Sequence, residues 1–167
     1  NKILEYLMKQ NWHLSYDYYM CIDMDDRNIG LNVNSIEKFL KSDLKWDVAT
    51  SNQRKGYYDY WALRTNKDNT NCWEKNGNCT TKQNRVLESW FDTHKGKTIN
   101  LNEDPIEVLS AFGGFGIYKL RAIQNCTYNG NGKGAQGGDQ DCEHVKFHEC
   151  IRNNNGKIYI IPNITND

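Results

Sequence analysis

Three aspartates follow an apolar stretch near the start of the chain. Asp23, Asp25 and Asp26 lie at the end of a predicted buried strand, 18–23. Alternate side chains of a strand face the same side, so the Asp-x-Asp carboxylates at 23 and 25 can point together. Like charges this close repel, and a divalent cation with oxygen ligands offsets the repulsion and can hold a diphosphate. The alternative is an aspartate-rich turn.

A second group of candidate residues lies in the segment 46–64. Aromatic residues alternate there with carboxylate, amide and guanidinium side chains, including Asp59, Trp61 and Arg64. Aromatic faces beside such groups suit sugar rings, which stack on the rings and form hydrogen bonds through their hydroxyls. The alternative is an aromatic-rich pair of core strands.

Paired glycines occur in the sequence GGFG, 113–116. Gly113 and Gly114 lack side chains, so the backbone there can approach a ligand closely. The spacing is not that of a phosphate-binding P-loop. A tight turn between two phenylalanines explains the glycines equally well.

The segment 141–150, DCEHVKFHEC, concentrates titratable side chains. One interpretation is a zinc site, although the usual Cys-x2-Cys arm is absent. In the other, at least one histidine is an ordinary core or surface residue. The zinc ligands would be Cys142, His144, His148 and Cys150.

The remaining pattern predicts one mixed α/β domain over 1–167, because helices and strands alternate without an internal repeat. Asn34 or Ser35 is the expected N-cap of the second helix. After Pro105 we expect a short segment, the glycine turn, and a helix or strand. The predicted helices are 2–10, 35–40 and 84–94, the strands are 18–23, 46–51, 57–63 and 157–161, and 129–140 is a flexible glycine-rich loop.

Charge and hydropathy exclude several functional classes. Lys plus Arg and Asp plus Glu number 21 each, so no basic field favours a nucleic-acid partner or a metal nuclease. No apolar run approaches the length of a membrane span. The six cysteines permit disulfides, but a chain of this length does not need them, and we expect them to be reduced.

Four segments in order resemble the GT-A glycosyltransferases. They are Asp-x-Asp after a strand, YYDYWALR (57–64), GGFGIYK (113–119) and CEHVKFH (142–148). The chain is most similar to capsule-type mannosyltransferase relatives of fungi and to glycosyltransferase domains of large DNA viruses, over roughly residues 16–151.

The resemblance implies a Rossmann-like mixed sheet flanked by helices. In that fold a βαβ unit that binds the nucleotide base precedes the Asp-x-Asp. Only 22 residues precede Asp23, so we expect a GT-A domain that is incomplete at its N-terminus.

The resemblance also implies a metal-dependent transfer of sugar from a nucleotide-diphosphate sugar to a glycan or other hydroxyl acceptor. Asp25 would bind Mn²⁺ or Mg²⁺ directly, with Asp23 toward the ribose or the metal and Asp26 assisting. His148 would complete the metal site, or His144 in its place.

The same resemblance assigns the other site residues. Glu143 would be the catalytic base, and Asp59 is a further catalytic candidate. Asp59, Trp61 and Arg64 would bind the donor sugar or diphosphate, and the glycine pair at 113–114 would border donor and acceptor.

Two other functional classes remain open. They are a non-catalytic carbohydrate-binding module and a zinc-stabilised interaction domain. The expected compartment is the cytoplasm, that of the host for a viral protein, and the alternative is the secretory lumen.

Overall fold

The computed structural model describes residues 1–72, 99–130 and 141–166. In these ranges the chain is an α/β protein with an open, mixed sheet of five strands. The helices are α1 (Lys2–Lys9), α2 (Val33–Leu40) and α3 (Glu143–Asn153), and the strands are β1 (Tyr18–Ile22), β2 (Val48–Gln53), β3 (Ile106–Val108), β4 (Phe115–Lys119) and β5 (Ile158–Asn166).

The strand order β1-β4-β2-β5-β3 brings three strand ends to one place. Strand β4 is antiparallel to both β1 and β2, and β5 is parallel to β2. Strands β1, β2 and β5 therefore run in the same direction. Their carboxyl ends meet at one end of the sheet, where β4 begins, and we call this end the rim.

Alternation along the strands separates two hydrophobic cores, one on each face of the sheet. Val48 and Ile160 belong to one cluster with Leu7 of α1 and Phe147 of α3. Ala49 points the other way, into the cluster that includes the apolar residues of α2. The central strand β2 thus anchors both layers of helices.

Helices α1 and α2 confirm the predicted helices 2–10 and 35–40 to within two residues. The N-cap of α2, however, is Asn32 and not Asn34 or Ser35. Its side-chain oxygen accepts hydrogen bonds from the backbone N–H groups of Asn34 at 3.0 Å and Ser35 at 3.4 Å. These are the positions that an N-cap side chain normally satisfies.

The predicted strand 57–63 is wrong. The segment forms turns, with only an isolated bridge between Arg64 and Ser110. Tyr57, Tyr60, Ala62 and Leu63 are its buried apolar residues. Their spacings of three, two and one residues do not follow the alternation of a strand, in which every second residue shares a face.

Two strands differ from expectation in placement or length. Strand β1 is an edge strand, and its residues are partly buried or exposed. The predicted strand is confirmed, whereas the prediction that it is buried is wrong. Strand β5 continues past Pro162 to Asn166. Its pairing with β2 shifts register around this proline, which lacks the N–H that a regular ladder needs.

Two cysteines expected to be reduced form a disulfide, Cys126–Cys150. Cys72 is also disulfide-bonded, whereas Cys21 and Cys142 are free.

The predicted helix 84–94 and the part of the predicted loop 129–140 beyond residue 130 lie outside the described residues. None of the described helices has both the length and the hydropathy needed to cross a membrane.

Candidate active site

The Asp-x-Asp segment lies at the rim, directly beside the glycine turn. The backbone N–H of Asp23 donates to the carbonyl oxygen of Gly114 at 2.9 Å. This bond extends the β1–β4 ladder one residue beyond the pair Ile22 and Phe115. The antiparallel pairing therefore joins two predicted site segments that are far apart in sequence.

The glycine turn requires glycine for two reasons. Gly113 has φ +68° and Gly114 has φ +86°, both in the left-handed region. A Cβ at Gly113 would also clash with Nε2 of Gln53 and would lie 2.9 Å from the carbonyl oxygen of Ser51. The turn interpretation of the sequence is confirmed, and a ligand contact at the turn stays a prediction.

The carbonyl oxygen of Gly113 is held by three buried side-chain donors. Gln53 Nε2 donates at 2.9 Å, Asn166 Nδ2 at 2.7 Å and Ser51 Oγ at 2.8 Å. The donors come from the carboxyl ends of β2 and β5. The ends of the two parallel strands thus hold the turn in place.

Asn28 links the same turn to the aspartate segment. Its Nδ2 donates to the carbonyl oxygens of Asp23 at 2.7 Å and Gly114 at 3.0 Å. Its Oδ1 accepts from Asn166 Nδ2 at 2.8 Å. The sequence does not single out Asn28 and Asn166, because nothing local distinguishes them among 22 asparagines.

The structure brings four of the predicted carboxylates together at the rim. The pKa of Asp23 is raised by desolvation, and further by the charges of Asp25, Asp59 and Glu143. Each of these carboxylates therefore lies within electrostatic reach of Asp23. Such crowding disfavours the charged form unless a cation neutralises it.

Asp59 connects its own turn to the glycine turn. Its Oδ2 accepts from the Gly113 N–H at 2.9 Å, and its Oδ1 accepts from the Ala62 N–H at 3.3 Å. Trp61 lies in the same turn with its side chain partly exposed. The carboxylate of Asp59 thus positions both backbone segments near the cluster.

Arg64 makes contacts that the sequence did not predict. Its side chain is buried, and Nη2 lies 2.6 Å from Oδ1 of Asp141. The same oxygen accepts from the backbone N–H of Cys142 at 2.8 Å, immediately before Glu143 at the start of α3. Arg64 therefore ties the 59–64 turn to α3, and a donor contact stays a prediction.

That His148 completes the metal site stays a prediction, although the structure gives both ring nitrogens of this residue partners in the core. Its side chain is fully buried, with Nδ1 at 2.9 Å from Ser110 Oγ and Nε2 at 3.2 Å from Tyr118 OH. The fallback, His144, stacks on Phe112 with ring centroids 3.9 Å apart. Burial lowers the pKa of both histidines, that of His144 to about 4. Both histidines are buried residues of the core.

The structure removes one of the four ligands from the zinc interpretation. Cys150 is bonded to Cys126, so its sulfur is not available as a ligand. In residues 1–72, 99–130 and 141–166, no three His, Cys, Asp or Glu side chains are arranged to hold a metal ion together.

The Asp-x-Asp pair nevertheless suits one class of cation. Mg²⁺ and similar hard ions bind through one or two carboxylates and take their other ligands from phosphates and water. Asp23 and Asp25 are exposed and offer oxygen ligands beside two more carboxylates. The donor type therefore fits a Mg²⁺ or Mn²⁺ ion that enters with a diphosphate.

The aromatic residues of 46–64 are divided between core and surface. Trp46, Tyr57 and Tyr60 are buried and cannot stack on a sugar. Tyr58 and Trp61 are partly exposed, and the Tyr58 hydroxyl lies 3.2 Å from the Cβ position at Gly114. Only these two rings of the segment can serve a ligand at the rim.

No protein-family model matches the chain, and no curated protein matches it either. A functional assignment therefore depends on the residues at the rim.

Proposed function

We propose that the chain is a metal-dependent glycosyltransferase domain of the GT-A type. It moves a sugar from a nucleotide-diphosphate sugar to a hydroxyl of a glycan or similar acceptor. The observation that carries the proposal is the cluster of Asp23, Asp25, Asp59 and Glu143 at the rim. In open α/β sheets, ligands bind beyond the carboxyl ends of the strands, which is where this cluster lies.

The donor half of the site is formed by Asp23 and Asp25. Their carboxylates would hold Mn²⁺ or Mg²⁺, which supplies positive charge beside the departing diphosphate. Desolvation, and then the charges of the neighbouring carboxylates, raise the pKa of Asp23, and a bound cation would offset the part that comes from repulsion. Trp61 offers an exposed ring for the donor sugar, and the glycine turn lets the backbone approach the ligand.

The acceptor half is formed by Glu143. It is the first residue of α3 and its side chain is half-exposed. In an inverting transfer, the acceptor oxygen bonds to the anomeric carbon while the bond from that carbon to the diphosphate oxygen breaks. The electron pair leaves with the diphosphate, and the hydroxyl proton passes to the Glu143 carboxylate.

Asp59 has a positioning role in this scheme. Its hydrogen bonds to the backbone of Gly113 and Ala62 hold the glycine turn against the donor side of the cluster. Its negative charge adds to the field that favours a cation at the Asp-x-Asp pair. Preorganised groups of this kind cost no rearrangement when charge develops.

The test is calorimetric titration with UDP, GDP and TDP, each with and without Mn²⁺. We expect one nucleotide to bind about tenfold or more tightly when Mn²⁺ is present, a difference of about 1.4 kcal/mol. Asp25→Asn should remove this metal-dependent gain, because it removes a charged ligand with little change of shape. Asp43→Asn is the matched control, since Asp43 is an exposed aspartate near the end of α2.

Two results would overturn the proposal. One is the same affinity for every nucleotide with and without Mn²⁺. The other is metal-dependent binding that Asp25→Asn and Asp43→Asn affect equally, which would place the metal elsewhere.

A further inference from the structure

Two adjacent clefts lie at the other end of β1 from the rim. The first, of about 340 Å³, is lined mainly by apolar and aromatic residues, including Trp12, Tyr16 and Tyr18. The second, of about 250 Å³, is also lined by Tyr16 and Tyr18, together with charged residues. Because they share these two tyrosines, we treat the clefts as one feature and call it the β1-start groove.

Exposed aromatic rings form the apolar half of the groove. Trp12 is 40% exposed and Tyr16 is 60% exposed. The Trp12 ring lies 5.8 Å from Tyr6 and 5.6 Å from Tyr16, measured between ring centroids. The Tyr16 N–H donates to the Trp12 carbonyl oxygen at 2.8 Å, so a short helical turn holds the rings in place.

Charged and polar side chains form the other half. His13, Asp17, Lys119 and Arg121 line it. Nζ of Lys119 lies 4.6 Å from the centroid of the Trp46 ring, and burial lowers the pKa of this lysine. The groove thus combines ring faces with both donors and acceptors of hydrogen bonds.

This combination selects a carbohydrate over other occupants. A sugar presents an apolar CH face, which packs on an aromatic ring, and a rim of hydroxyls, which needs donors and acceptors. A purely apolar partner would desolvate Asp17 and Lys119 and offer them no hydrogen bonds, whereas Arg121 already pairs with Asp47 at 2.9 Å. Two adjoining clefts of different chemistry suit a chain of sugar units better than a single sugar.

The position of the groove relates it to the rim. From Tyr18 to Asp23 the chain advances five residues, or about 17 Å at the usual rise of a strand. Strand β1 is the outermost strand of the sheet and lies between the groove and the rim. An oligosaccharide that follows this strand would have one end in the groove and the other at the carboxylates.

We infer that the β1-start groove binds the acceptor oligosaccharide, several sugar units away from the hydroxyl that receives the new sugar. The acceptor role rests on the proposed function, whereas the binding of a glycan chain rests on the groove itself. Rings that bind the acceptor far from the reacting hydroxyl would lower KM for long acceptors. They would leave KM for short acceptors unchanged.

The test is calorimetric titration with linear tetrasaccharides of mannose, glucose and N-acetylglucosamine. We expect at least one to bind, and Trp12→Ala and Tyr16→Ala to weaken its binding about fivefold or more, the scale of one lost aromatic contact. Trp12→Phe should retain part of the affinity. Leu14→Ala is the control, because Leu14 lies on the same short helical turn, is 77% exposed and lines neither cleft.

Nucleotide titration of the same preparation separates this inference from the proposed function. Metal-dependent nucleotide binding without binding of any tetrasaccharide overturns the inference and leaves the proposed function standing. Tetrasaccharide binding that depends on Trp12 and Tyr16, without nucleotide binding, supports the glycan groove and overturns its acceptor role. Tetrasaccharide binding that neither Trp12→Ala nor Tyr16→Ala weakens overturns the inference. A concentration-dependent dimer that sedimentation detects and that Trp12→Ala abolishes also overturns it.

Discussion

The rim and the β1-start groove lie at opposite ends of the same strand and are built differently. At the rim, the side-chain amides of Asn28, Gln53 and Asn166, the last two of them buried, converge on the carbonyl oxygens of Gly113 and Gly114. In the groove, partly exposed rings such as Trp12 and Tyr16 contact each other on the surface. One region depends on buried hydrogen bonds and the other on ring contacts open to water.

This difference indicates which of the two regions tolerates substitutions. A buried donor or acceptor that loses its partner costs about 1–3 kcal/mol, and linked hydrogen bonds strengthen one another. Removal of a partly exposed ring lowers the free energy of unfolding much less. The geometry at the rim is therefore held rigidly, as the proposed sugar transfer would need, whereas the groove can change its rings at small cost to the fold.

The largest expected effect is that of Gly113→Ala at the rim. The new Cβ meets Gln53 and Ser51 and the residue keeps a left-handed φ, so the free energy of unfolding should fall by about 3 kcal/mol or more. Urea denaturation measures it. Gly130→Ala is the control, because among the described residues its Cβ meets only the Asp141 carbonyl oxygen, at 3.2 Å, and its φ is not positive. Equal losses would mean that the rim is not unusually constrained.

The second effect is a pH dependence of stability that arises from His144, in the core beside the rim. Burial lowers the pKa of His144 to about 4, below the value near 6.5 of an unfolded chain. The unfolded state therefore binds more protons between these values. The stability that neutral His144 contributes is complete above about pH 6.5. It is lost as the pH falls to about 4, and the loss is at most about 3 kcal/mol.

His144→Phe measures that contribution. Phenylalanine can keep the stack on Phe112 but cannot be protonated. Urea denaturation at pH 7 and pH 4.5 should give a smaller loss of stability for the variant than for the wild type. Identical losses would show that His144 is hydrated or already charged in the folded state.

A smaller effect is expected from Gln53→Met. The substitution removes one of the three donors to the Gly113 carbonyl oxygen, while those of Ser51 and Asn166 remain. The free energy of unfolding should fall by about 1–2 kcal/mol. Gln10→Met is the matched control on an exposed residue, and a similar loss there would assign the effect to methionine itself.

The smallest effect belongs to the groove. Trp12→Ala and Tyr16→Ala should change the free energy of unfolding by no more than about 1 kcal/mol, because both side chains are partly exposed at the surface. Thermal and urea denaturation test this. A loss as large as that of Gln53→Met would make the rings structural and remove the contrast between the two regions.

Sequence patterns predicted the elements whose residues interact locally. The helices of 2–10 and 35–40 follow from apolar spacing, and the glycine turn follows from Gly113 and Gly114. Local pattern failed in 57–63, where aromatic residues suggested a strand. Their burial is decided by packing against distant residues, so composition alone was misleading.

For the candidate site, the sequence by itself determined that Asp23 and Asp25 follow a strand and that a glycine pair can form a tight turn, because both depend on neighbours in the chain. Only the tertiary structure decided that Asp59 and Glu143 join them and that Asn28 and Asn166 hold the turn. It also decided that His148 is buried in the core. The physical reason is that burial and convergence arise from strand order and helix packing, which bring together residues that no local spacing connects.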